Sequence, residues 1–135
     1  RHRPSSSQWW WKAAPHKSVS VDIISVHLDF SRNTVRKNQI RELLDLISKR
    51  RGPLVVMGDF NSDWLANESI VAELAYQARL KVYRPNATDL PTLVRRRTRL
   101  DWILISNDLE FVTYKVLPTI VSDHYAIAAE IKLVD

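Results

Sequence analysis

Apolar positions along the chain recur at two spacings, and the alternation between them predicts the order of elements. Val19, Val21 and Ile23 repeat every second residue, and Ile24 and Val26 then fill the other face, which predicts a β-strand entering a covered sheet. From Ser31 to Arg51 the spacing becomes helical, with Val35, Ile40, Leu43, Leu44 and Ile47 on one face. Ser31 or Asn33 offers an N-cap there, and Gly52-Pro53 supplies the stop. Leu54 to Met57 is wholly apolar, as a buried central strand requires, and it delivers Gly58-Asp59-Phe60-Asn61 to that strand's C-terminal edge. A second helix is expected over Asn67 to Arg79, turning Ile70, Val71, Leu74, Ala75 and Ala78 inward. A loop follows, carrying Pro85, Pro91 and the run Arg95-Arg96-Arg97-Thr98-Arg99. Strands are then expected at Leu100 to Ser106, Glu110 to Leu117 and Tyr125 to Val134. This order, strand-helix-strand-helix and then three strands, is that of a mixed α/β layered domain.

Residues 1–17 fit neither period and are expected to form an irregular N-terminal segment ahead of a domain over residues 18–135. The run Trp9-Trp10-Trp11 cannot face one core from a strand, because successive side chains alternate sides.

Composition narrows the chemistry. With 135 residues, 45% of them hydrophobic, the chain is the size of one ordinary domain and can bury a core. It has no cysteine, so disulfides and thiolate metal sites are excluded, and a metal would have to be held by carboxylate, amide or imidazole groups. No apolar run reaches the roughly 18–20 residues of a membrane span, and a cytoplasmic location is the default expectation. The net charge of +5 suits an anionic partner such as nucleic acid or a phosphorylated lipid, and equally a solvated basic face.

Polar residues gather where the apolar strands end. His27 and Asp29 follow the first strand, Asp59 and Asn61 follow Leu54 to Met57, Asp101 opens the strand at Trp102, and Asp123-His124 precedes Tyr125. Open α/β sheets collect ligands at such edges. Singly, each has a plain structural reading: a hydrogen-bonded histidine, a tight Gly-Asp-Phe-Asn turn, a strand cap, or an acid paired with a neighbouring arginine. Together they suit phosphoryl transfer, which needs a cation to hold oxygens, an activated water and donors for the charged transition state. Asp59 can bind a hard cation or orient water, and Asn61, on the same side of an extended segment, can donate to a phosphate oxygen. His124 can act as base or phosphate ligand, with Asp101 as the carboxylate that fixes its tautomer.

Gly58-Asp59-Phe60-Asn61, Arg99-Leu100-Asp101-Trp102-Ile103 and Ser122-Asp123-His124, following Val26-His27-Leu28-Asp29 in that order, resemble the successive C-terminal motifs of the endonuclease/exonuclease/phosphatase superfamily, whose fold is typified by deoxyribonuclease I. The resemblance runs from about Val19 to Leu133. It implies a layered β-sandwich with flanking helices and a metal-dependent phosphoester hydrolase using Mg2+ or Mn2+. By the same resemblance Asp59 and Asn61 would contact the water and scissile phosphate, Asp123 would assist Asp59 at the metal, His124 would be the catalytic histidine, Asp101 would orient it, and His27 would bind the phosphate.

The family's first half supplies an early strand with an Asn and a Glu that is a principal metal ligand, and nothing here resembles it. The expectation is therefore the C-terminal part of the fold, either a piece of a longer protein or a shortened relative, with little or no activity alone. A bare apolar sheet face, inviting a homodimer, would follow. Substrate is left open among nucleic acid, inositol phosphate and lipid. Arg97 and Arg99 in the basic loop are candidate phosphate ligands. The alternatives are a non-catalytic module holding single-stranded nucleic acid by charge and tryptophan stacking, and a degenerate scaffold.

Overall fold

A computed structural model describes residues 18–29 and 32–135. The irregular segment expected at residues 1–17, its tryptophan run and the Ser31 cap lie outside the described residues.

The elements follow the expected order: β1 (Asp22–His27), α1 (Asn33–Ser48), β2 (Leu54–Asp59), α2 (Ile70–Ala78), β3 (Asp101–Ile105), β4 (Leu109–Val116) and β5 (Ile127–Leu133). β2 is the middle strand of a three-stranded sheet, parallel to β1 and antiparallel to β3, and β4 and β5 form a second, antiparallel sheet. Strand alternation sorts the core into two layers. Leu54 and Val56 of β2, with Trp102 and Leu104 of β3, meet Ile40 and Leu43 of α1 and Ile70, Val71 and Leu74 of α2. On the opposite face Val55, Ile103 and Ile105 pack with Leu109 and with the partly buried Phe111, Tyr114, Ile127, Ala129 and Ile131 of the second sheet. The result is three layers: helices, the larger sheet and the smaller sheet.

Two local expectations change. The N-cap of α1 is Arg32, not Asn33, and its side chain makes no cap; the Arg32 N–H instead donates to Asp29 Oδ2 at 2.9 Å. For α2, Ser69 is a true N-cap that accepts from the Ala72 N–H at 3.2 Å, so the helix starts three residues after Asn67 leaves it expected, at Ile70.

The strand at Val19 to Ile23 does not enter a covered face. Val19, Val21 and Ile23 are 48, 41 and 64% exposed, and Met57 is exposed where full burial was expected. With Ile127, Ala129 and Ile131 they line an open apolar groove of about 580 Å³ between the two sheets. Val19 and Val21 precede β1, the edge strand of the larger sheet, and with Ile23 they face the open groove rather than a covering layer. Among the described residues, no helix is long and apolar enough to cross a membrane.

Candidate active site

Sheet register builds the site. β1 and β2 are parallel, so their C-terminal ends reach the same edge, and antiparallel β3 begins there. His27 pairs with Asp59, and Asp59 pairs with Asp101, placing three polar residues in one row across the sheet. Paired residues share a face, so the row belongs to the face that carries Val55, Met57 and Ile103. The close approach of β1 and β2 depends on Gly58, whose φ is +137°. A Cβ there would overlap the Val26 carbonyl oxygen and come within 3.0 Å of Val26 C and N.

The loop between β4 and β5 brings His124 onto this row. Its Nδ1 bonds Asp101 Oδ2 at 2.6 Å, and its Nε2 lies 3.8 Å from Asp59 Oδ2. His27 Nε2 approaches the same Asp59 oxygen at 3.6 Å from the solvent side. Asp59 and Asp101 are largely buried and His124 partly so, whereas the His27 side chain is 78% exposed. Asp59, Asp101 and His124 each offer a ligand atom within 4.8 Å of the others, a set of hard oxygens and imidazole that could hold a cation. Among the described residues no glutamate joins them.

Electrostatics mark Asp59 and His124. Burial pushes the Asp59 carboxyl above the usual carboxylate range; the Asn61 N–H, donating to Oδ1 at 2.8 Å, opposes this, and the neighbouring Asp101 charge adds to it. For His124 burial acts downward, but the Asp101 hydrogen bond and charge, with Asp59 and Asp123 beside it, outweigh that and raise its pKa. The two shifts thus fall on groups that share one sheet edge.

The remaining expected residues part ways. Asn61 adjoins Asp59 but is not on an extended segment: its φ is +46°, and its amide donates to the Leu28 carbonyl at 2.7 Å. One Nδ2 proton is thereby committed, and the other is left for a ligand. Asp123 is exposed next to His124 and outside the three-residue group, while its carbonyl accepts from the Val94 N–H. Arg97 is exposed at the tip of the turn closed by Leu93 and Thr98.

Arg99 corrects the phosphate expectation. It is 5% exposed, donates to the Arg84 and Tyr83 carbonyls at 2.7 Å each and to the Tyr114 hydroxyl at 3.3 Å, and lies 4.0 Å over the Trp102 ring. Its guanidinium stacks inside the fold because Trp102 and Tyr114 present their π-faces to it. The sequence does not reveal this, since the four neighbouring arginines look alike in a basic run. Thr92 also escaped notice: it is fully buried, and its hydroxyl accepts from the Asp101 N–H.

A sequence model described as the Endonuclease/Exonuclease/phosphatase family matches residues 5–124. The chain belongs to this family. No curated protein matches it in sequence. Solved structures carry the same fold in the family's manner. A functionally unknown conserved protein from Enterococcus faecalis superposes with a TM-score of 0.70 at 21% identity, covering 83% of this chain and 50% of that one. A mannosyl-6-phosphatase of Bacteroides thetaiotaomicron gives 0.61 at 18%, covering 82% and 51%. The human Nocturnin catalytic domain, solved with a bound sulfate anion, gives 0.61 at 17%, covering 83% and 46%. The family chain described here thus spans about half the length of these structures, and the deoxyribonuclease I-like architecture is the one expected.

Proposed function

We propose that this chain carries the histidine–aspartate part of the catalytic site of a metal-dependent phosphoester hydrolase. The observation that supports the reading is the single row of Asp59 and Asp101 with His124 bonded to one and facing the other. Asp101 holds Nδ1–H of the ring, which leaves Nε2 to take a proton from an attacking water or, once protonated, to donate to a phosphoryl oxygen. The separations of 3.6 and 3.8 Å from Asp59 to the two histidines exceed a hydrogen bond, and a water that donates to the Asp59 carboxylate can bridge them.

The donors fit Mg2+ or Mn2+. Two half-buried carboxylates side by side, Asp59 and Asp101, the former with its pKa raised, are relieved by a hard divalent cation that Asp59 would hold, with exposed Asp123 assisting from the loop. When bound, such an ion supplies charge neutralisation at the phosphate and a more acidic water. The chain's own residues do the rest: Asn61 offers its free amide proton to a phosphate oxygen, and exposed His27 donates to another. Arg97, with Arg95 and Arg96 at the loop tip, meets a flanking phosphate of a larger substrate.

The test is hydrolysis of a chromogenic phosphodiester and of plasmid DNA with Mg2+ or Mn2+, comparing the chain with Asp59→Ala and His124→Ala. Metal-dependent turnover lost in both variants supports the reading. Turnover equal in chain and variants would refute it.

A further inference from the structure

We infer that Thr92 is the positioning residue that fixes Asp101 against His124, by clamping with one side chain and one carbonyl two segments that no strand pairing joins. This deepens the reading of Asp101 and His124 as a catalytic couple and rests on it.

Asp101 opens β3 of the larger sheet, whereas His124 lies in the loop leading to β5 of the smaller one. β3 pairs with β2 and β5 with β4, so neither ladder sets the distance between the two residues. Thr92 spans the gap. Its Oγ1 accepts from the Leu100 N–H at 2.9 Å and from the Asp101 N–H at 3.1 Å, and its carbonyl accepts from the Tyr125 N–H at 2.7 Å. The turn that follows supports the clamp. The Thr92 and Leu93 N–H groups both donate to the Thr98 carbonyl, and Leu93 bridges to His124 itself. Thr92 is fully buried, so water cannot replace its hydroxyl, whose two lone pairs match the two N–H groups it serves. A hydroxyl is needed rather than mere bulk: valine fills the same space but leaves both part-buried N–H groups without their acceptor. They must then tilt toward other acceptors and carry the Asp101 backbone with them.

The experiment is NMR of the full chain, following the His124 ring Nδ1–H resonance, which is slowed in exchange by its bond to Asp101. Thr92→Ser, which keeps the hydroxyl, is expected to retain the resonance, and Thr92→Val to lose it while the α1 and α2 amide signals stay in place. Ser62→Ala is the control for general loosening, because Ser62 is a buried hydroxyl that accepts from the Val71 N–H in the helical layer; it is expected to retain the resonance. An unchanged resonance in Thr92→Val overturns the inference, as does its loss in Thr92→Ser or Ser62→Ala. Absence of the resonance in the unaltered chain would overturn the couple and the clamp together. If Thr92→Val does not fold, hydrogen exchange in the unaltered chain decides. The Leu100 and Asp101 amides are expected to exchange as slowly as those inside β3, and exchange as fast as an open loop would overturn the clamp.

Discussion

Replacing Gly58 by alanine is expected to be among the most damaging single-methyl changes in the chain. Two costs combine. The backbone at φ +137° is one that L side chains rarely adopt, which costs about 1–3 kcal/mol. The added carbon would also meet the Val26 carbonyl well inside the ~3.3–3.6 Å at which carbon and oxygen ordinarily settle, so β1 and β2 must part where Val26 pairs with Gly58. Losing one or two ladder bonds adds about 1 kcal/mol each. The total, roughly 2–5 kcal/mol, is a large fraction of the ~5–15 kcal/mol that holds a domain together. With a urea m-value of about 2 kcal/mol/M, the midpoint should fall by about 1–2.5 M. Gly52→Ala is the internal comparison. Gly52 also has positive φ, at +86°, but nothing lies within 4 Å of where its Cβ would sit. It should lose only the backbone cost of ~1–2 kcal/mol, partly offset by a stiffer unfolded chain. Equal midpoint shifts for the two variants would refute the idea that contact with β1 is what requires glycine at position 58.

Asp59, His124 and Arg99 give further expectations. The His124 pKa is raised in the fold, so the Asp101–His124 contact stabilises fully below the ordinary imidazole value of about 6.5 and is lost as pH rises through the raised one. Melting temperatures from about pH 6 to about pH 8.5 should therefore fall more steeply for the chain than for Asp101→Asn, and parallel curves would count against the contact. Asp59 is also raised, so its ionised form costs stability as pH climbs past its folded pKa, and a divalent cation should relieve that cost. Mg2+ is expected to raise the melting temperature of the chain, by about 2.7 kcal/mol of stability at a hundredfold excess over Kd, and not that of Asp59→Asn. Arg99→Lys forfeits the forked bonds to the Tyr83 and Arg84 carbonyls and should cost about 1.5–3 kcal/mol by denaturation. Arg97→Ala at the exposed tip should stay within about 0.5 kcal/mol.

What the sequence made legible follows from where a periodic pattern has a single physical cause. Leu54 to Val56 and the face of α2 read correctly because burial on both sides, or on one helical stripe, leaves few other arrangements. The polar residues closing the strands read correctly for the same reason: a strand that must stay apolar while covered can place charge only at its ends. The failures share a different cause. Val19, Val21 and Ile23 have the alternation of a covered strand, yet cover depends on what lies across the groove rather than on their own pattern. Arg99 and Arg97 are two residues apart in one basic run, and only the rings of Trp102 and Tyr114 separate a buried cation from a free one. Asn61 was expected on an extended segment, but the Asp59 carboxylate accepts its N–H and turns the chain. Thr92 carries no local signature, since its role is written in contacts to residues 100, 101 and 125.

The central claim is that Asp59 holds a divalent cation at the sheet edge, beside the Asp101–His124 couple. Paramagnetic broadening of ring signals by Mn2+ tests it most directly, because it requires no turnover. The account predicts that the His27 and His124 signals broaden at Mn2+ levels that leave the Tyr76 ring on α2 untouched, and that Asp59→Asn removes the preference. Broadening spread evenly over all three rings, or a preference for His27 and His124 that survives Asp59→Asn, would contradict it.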